Sequence, residues 1–146
     1  MQTLTLIPQR NGPSYRKHHI AAIILLIVVA LNAMAAGYSF IADPSGKGLG
    51  ITTDYLRTSA PFKDYFIPGL ALFILNGILS LVVAVLAIVK HKRYPLFISL
   101  QGGVFALWII IQLLMVESFH PLHAIVAFIG LTLIILGWLI NQRRGA

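Results

Sequence analysis

The chain holds 146 residues, 58% of them hydrophobic and 10% charged, with a formal net charge of +7 and no cysteine. Soluble domains carry about 25% charged residues, so a water-facing surface of ordinary size cannot be built from this supply. The absent thiols exclude disulfides, thiolate zinc sites and iron–sulfur clusters, and the basic excess flanks apolar runs, where it suits anionic lipid headgroups better than nucleic acid.

In chain order, the first run free of Asp, Glu, Lys and Arg is Ile20 to Ala42. It is preceded by Arg10, Arg16, Lys17, His18 and His19. The stretch Ile20 to Leu31, followed by Ala33-Met34-Ala35, also has the form of a signal peptide with a small-residue cleavage site. Continuation through Tyr38, Phe40 and Ile41 to full spanning length predicts retention as an uncleaved helix. Asn32 falls near mid-depth on it, and Ala33 with Gly37 makes a pair of small residues suited to close helix packing.

The outer loop is expected over 43–64. It opens with Asp43-Pro44-Ser45-Gly46, which reads as a turn. Ser45 to Gly50 superficially suggests a phosphate loop, but its glycine spacing is wrong and no Lys-Ser/Thr pair is present. Ile51 to Thr58 is expected to form a short helix capped by Thr52 or Thr53, in a loop able to fold over the bundle as a lid. Pro61 and Pro68 bracket the entry to the second run, Tyr65 to Val89, where Asn76, Ser80 and Ala84 share a face at four-residue spacing.

A short basic connection, Lys90-His91-Lys92-Arg93, leads to the third run, Tyr94 to Val116, with Gln101, Trp108 and Gln112 on one face. Glu117, His120 and His123 come next, one carboxylate and two imidazoles of the kinds that zinc and other transition metals accept. Steps of three drift by about 60° each on a 3.6-residue helix, so the outer two align poorly, and Pro121 suggests that the helix starts there. Along the fourth run, Phe119 to Gln142, His123, Gly130 and Gly137 recur every seven residues with Ala127 beside them, the stripe expected to face the bundle.

Each run reaches the roughly 20 residues needed to cross about 30 Å of hydrocarbon, and too few segments exist for a closed barrel. The expected fold is all-α: one integral membrane domain over 1–146, a bundle of four transmembrane helices at about 20–42, 65–89, 94–116 and 121–141. Eight of the eleven basic residues fall in the two tails and the middle connection. The positive-inside rule then predicts an N-in/C-in topology in a plasma membrane, with all four acidic residues outside. The layout resembles that of small four-span bacterial inner-membrane proteins.

Function is less legible. The intramembrane amides Asn32, Asn76, Gln101 and Gln112 either pack the helices or line a pathway. His18, His19 and His91 suit headgroup contact better than a bis-histidine haem, and no cofactor is expected. Apart from His123 near an outer end, no ionisable relay stands within the spans, and no filter or nucleophile–base pair is visible there. The favoured reading is a non-enzymatic accessory, scaffold or lipid-interacting subunit whose partners are the bilayer, anionic headgroups, and a second copy or a membrane complex. The alternatives are an oligomeric transporter or pore lined by the amides, and a metal-dependent membrane enzyme at Glu117, His120 and His123.

Overall fold

The structure, a computed structural model, describes residues 13–56, 60–116 and 119–145. Four helices follow the four apolar runs: α1 (Pro13–Ala42), α2 (Phe66–Ile88), α3 (Tyr94–Met115) and α4 (Pro121–Gly145). Each is long and apolar enough to cross a bilayer. A helix satisfies its backbone N–H and C=O groups internally, which hydrocarbon demands. The ends of α2 and α3 fall within one residue of expectation, whereas α1 starts at Pro13 and α4 runs on to Gly145. The early start of α1 has a cause in packing, since Tyr15 and His19 are buried.

The helices form a ring in which each packs on the next in chain order and α4 closes onto α1. In lipid, whose tails are as apolar as leucine, burying apolar surface gains little, and close van der Waals contact is what holds such a ring together. Glycines supply that contact. A Cβ at Gly102 of α3 would lie 2.5 Å from Gly130 O of α4, and one at Gly130 would lie 2.9 Å from Gly102 O. The same pattern joins α1 to α2, where a Cβ at Gly37 would stand 2.7 Å from Gly69 O. The stripe of His123, Gly130 and Gly137 is buried, as are Ala33 and Gly37.

α2 is not uniform. Leu72–Ile78 is π-helical inside the otherwise α-helical span. The Leu79 N–H still bonds to Ile74 O, five residues back. When the chain returns to four-residue bonding, one carbonyl is skipped, and by counting that carbonyl belongs to Leu75.

The exit of α2 is a Schellman turn, with Lys90 N–H bonded to Ala87 O (3.1 Å) and His91 N–H to Leu86 O (2.9 Å). Lys90 takes the left-handed position, at φ 54°, where glycine is the usual occupant. A lysine there keeps a cation in the connection at the cost of backbone strain.

The outer loop is built on Asp43. Its carboxylate accepts from the Ser45 hydroxyl and backbone N–H, and from the Gly48 N–H at 3.1 Å. The Ser45 hydroxyl and the Gly48 amide together hold the Asp43 carboxyl below its ordinary pKa. The expected turn forms, with Gly46 N–H on Asp43 O at 3.0 Å. Of the expected helix over Ile51 to Thr58, the described residues show one 3₁₀ turn, Thr53–Tyr55. Thr52 precedes it without capping it, because its hydroxyl bonds Asp54 instead. Residues 57–59 lie outside the described residues. Leu56 makes an isolated antiparallel bridge with Val116, which ties the loop to the end of α3. Tyr65 anchors its far side, donating from its hydroxyl to Thr52 O.

Candidate functional site

The four amides of the apolar helices do not all come together, since Asn32 faces outward. Gln101 is buried on α3 and faces α2, where its Nε2 donates to Leu75 O and to Ser80 Oγ, both at 2.9 Å. The carbonyl that the π segment leaves over is thus the one Gln101 satisfies. Asn76 lies within that segment at 0% exposure, and both its Oδ1 and Nδ2 lack a hydrogen-bond partner among the described residues. An amide in that state costs free energy wherever it sits. Gln112 is half-buried near the end of α3.

Asn32 lies apart from the bundle interior. It is exposed on the outward side of α1, and its Nδ2 donates back to Val28 O of the same helix at 3.0 Å. The buried face of α1 carries Ala22, Leu26, Ala30, Ala33 and Gly37. Asn32 precedes Ala33 and so stands about 100° from that face. That offset was a readable signal.

The mouth between α3 and α4 is organised by a pair of histidines. His120 precedes the helix, and its Nδ1 accepts the Leu122 N–H at 3.2 Å. His123 reaches back, its Nδ1 accepting the His120 N–H at 3.1 Å. Two N–H groups left over at a helix start are therefore satisfied reciprocally, the logic of a capping box built from imidazoles. Each ring keeps Nε2 for anything further. Glu117, the third member of the metal expectation, lies outside the described residues. Among the described residues no group of three or more His, Cys, Asp or Glu is placed to hold a metal. His120→Ala is expected to lower unfolding stability by about 1 kcal/mol, with His120→Ser close to wild type. Thermal melts in detergent, comparing the two variants, check this.

At the other end of the bundle the structure assembles a cluster that the sequence did not single out. Tyr15 and His19 of α1 meet Tyr94 of α3, all three buried. The Tyr15 and Tyr94 hydroxyls are 2.6 Å apart, and His19 Nδ1 is 3.0 Å from the Tyr94 hydroxyl. His19 stacks on Tyr15 and meets Tyr94 edge-on. The expectation of headgroup contact is thereby corrected for His19, which turns inward, whereas His91 is exposed. The four-residue spacing of Tyr15 and His19, beside a tyrosine opening α3, was the available clue.

This hydrogen-bonded contact brings the start of α1 to the α2–α3 connection. The glycine contacts do the same for the far end of α4, since a Cβ at Gly137 would lie 2.6 Å from Pro95 O. Arg16, Lys17, Lys90, Lys92, Arg93 and Arg143 are consequently gathered at one end of the bundle, all exposed. Asp43, Asp54 and Asp64 stand at the opposite end. Compared with protein-family models, curated proteins and solved structures, the chain matches none.

Proposed function

We propose that this protein is a non-catalytic component of a bacterial inner membrane, an accessory or scaffold subunit that engages lipid. Its basic end, with both termini, faces the cytoplasm and holds anionic headgroups. The observation that supports this most is the convergence of six exposed cations on one end of an otherwise apolar bundle. The positive-inside rule assigns that end to the cytoplasm, where anionic lipid attracts about 1 kcal/mol per basic residue near the surface.

Native mass spectrometry of protein extracted from mixed phosphatidylglycerol and phosphatidylethanolamine bilayers tests the reading. Wild type should retain the anionic lipid preferentially, and a Lys90→Gln, Lys92→Gln, Arg93→Gln variant should lose most of that preference. Equal retention of both lipids by wild type would sink it. Reporter tags at the two ends and between α2 and α3 should all report the cytosol.

One observation favours a second reading, a small transporter or pore. Asn76 is a fully buried amide without a hydrogen-bond partner among the described residues, seated in a π-helical segment of the kind that recurs at functional sites. Flux of small polar solutes through proteoliposomes, lost in Asn76→Leu, would support that reading over the first.

A further inference from the structure

We infer that the outward face of α1 is a self-association surface, and that its occupant is a second copy of this chain joined through Asn32. Such pairing does not depend on the binding of anionic lipid. Asn32 lies about 18 Å along the helix from Ile20 and about 15 Å from Ala42 at 1.5 Å per residue, which is the middle of the hydrocarbon layer. At that depth water does not reach the side chain, and it is too short to snorkel to an interface.

The amide is exposed, and among the described residues it makes one bond, Nδ2 to Val28 O. Its oxygen and second N–H are met by no donor or acceptor among the described residues of α2, α3 and α4. Hydrocarbon offers none either. Unsatisfied polar groups in lipid cost several kcal/mol apiece, so a partner is demanded at this one position of a helix that is otherwise apolar through its middle.

The chemistry of the amide identifies the partner. It carries a donor and an acceptor side by side, so two copies related by a two-fold axis along the membrane normal exchange two N–H···O bonds reciprocally. A two-fold interface places the same residue opposite itself, which suits a group complementary to itself. A hydroxyl or a charged partner would not return the same pair of bonds. The surroundings permit the approach, because Val28 and Ala35 flank Asn32 on the same face and are also exposed. The small Ala35 leaves room for a second backbone. Polar side chains at one position of a helix interface are the usual means of setting register.

The chain has no cysteine, so single cysteines can be introduced without a background. The test uses full-length protein reconstituted into liposomes at a high lipid-to-protein ratio and oxidised with copper phenanthroline. Ala35→Cys and Val28→Cys should cross-link to dimers, whereas Leu107→Cys, exposed on α3 at similar depth, should not. Energy transfer between labelled copies should show Asn32→Leu weakening association by roughly eightfold, the loss of two interhelical bonds of average strength. Asn32→Gln should retain association. Asn32 is exposed and makes no hydrogen bond to another helix among the described residues, so the helical content and melting of Asn32→Leu should match wild type. Monomers at every protein-to-lipid ratio, or equal cross-linking from Leu107→Cys, would overturn the proposal. So would undiminished association of Asn32→Leu.

Discussion

Gly102→Ala is expected to destabilise the bundle by about 1–3 kcal/mol, while Gly103→Ala, one residue on, leaves it unchanged or stabilises it by up to about 1 kcal/mol. The two substitutions add the same methyl to the same helix. At Gly102 the methyl carbon would lie 2.5 Å from Gly130 O and 2.8 Å from both Cγ1 and the backbone N of Ile134. Two of those three atoms are backbone, so no rotamer change relieves the clash and α3 and α4 must separate. At Gly103 nothing lies within 4 Å, and the replacement only removes the conformational entropy that glycine costs a helix. Denaturation in mixed micelles monitored by circular dichroism measures both. Equal effects at the two positions would mean that the α3–α4 crossing is looser than the structure has it.

The second large effect separates two buried amides. Gln101→Leu should cost about 1–2 kcal/mol, because Leu75 O and Ser80 Oγ both lose their donor inside the bundle. Asn76→Leu should do the reverse and raise stability by about 1–3 kcal/mol. It removes a donor and an acceptor that have no partner among the described residues, and leucine keeps the branching at Cγ. The same denaturation measurement reads both variants. If Asn76→Leu is instead destabilising, the amide is satisfied by something that enters the bundle, and the pathway reading gains at the expense of the lipid-scaffold one. A stabilising effect accompanied by loss of solute flux would mark Asn76 as a group kept for function at the expense of stability.

The difference between Asn32 and Asn76 shows where sequence reading stops for such a chain. Both are asparagines near mid-depth of a long apolar run, and nothing in composition distinguishes them. One is enclosed and the other faces outward. In a water-soluble helix the polar face would have marked the outside. Here Ile24, Val28 and Leu31 are exposed while, Leu26 apart, the buried positions of the apolar run are Ala22, Ala30, Ala33 and Gly37, so the inward face is the smaller one and not the more apolar one. The small-residue stripes on α1 and α4 were therefore the dependable guides to the interior. The amides were not. The π segment turns residues beyond Ile78 relative to those before Leu72, yet Asn76, Ser80 and Ala84 stay together on the buried face that their four-residue spacing gave. The Tyr15–His19–Tyr94 cluster escaped notice for a different reason. Tyr94 stands 75 or more residues from both partners, and basic neighbours made each side chain look interfacial.

What the amino-acid order alone determined is the number and approximate extent of the helices long and apolar enough to span a membrane, together with the turn at Asp43 and the helix start at Pro121. Those features answer to local rules: hydrocarbon thickness sets the run length, and backbone hydrogen bonding forces each run to be helical. Only the tertiary structure decided which helices become neighbours, which carbonyl Gln101 serves and that Asn76 is left without a hydrogen-bond partner among the described residues. Lipid and bundle interior are equally apolar, so hydropathy carries no contrast between them, and the choice falls to shape. That shape is the glycine contacts, where an added methyl would collide with the backbone of the next helix.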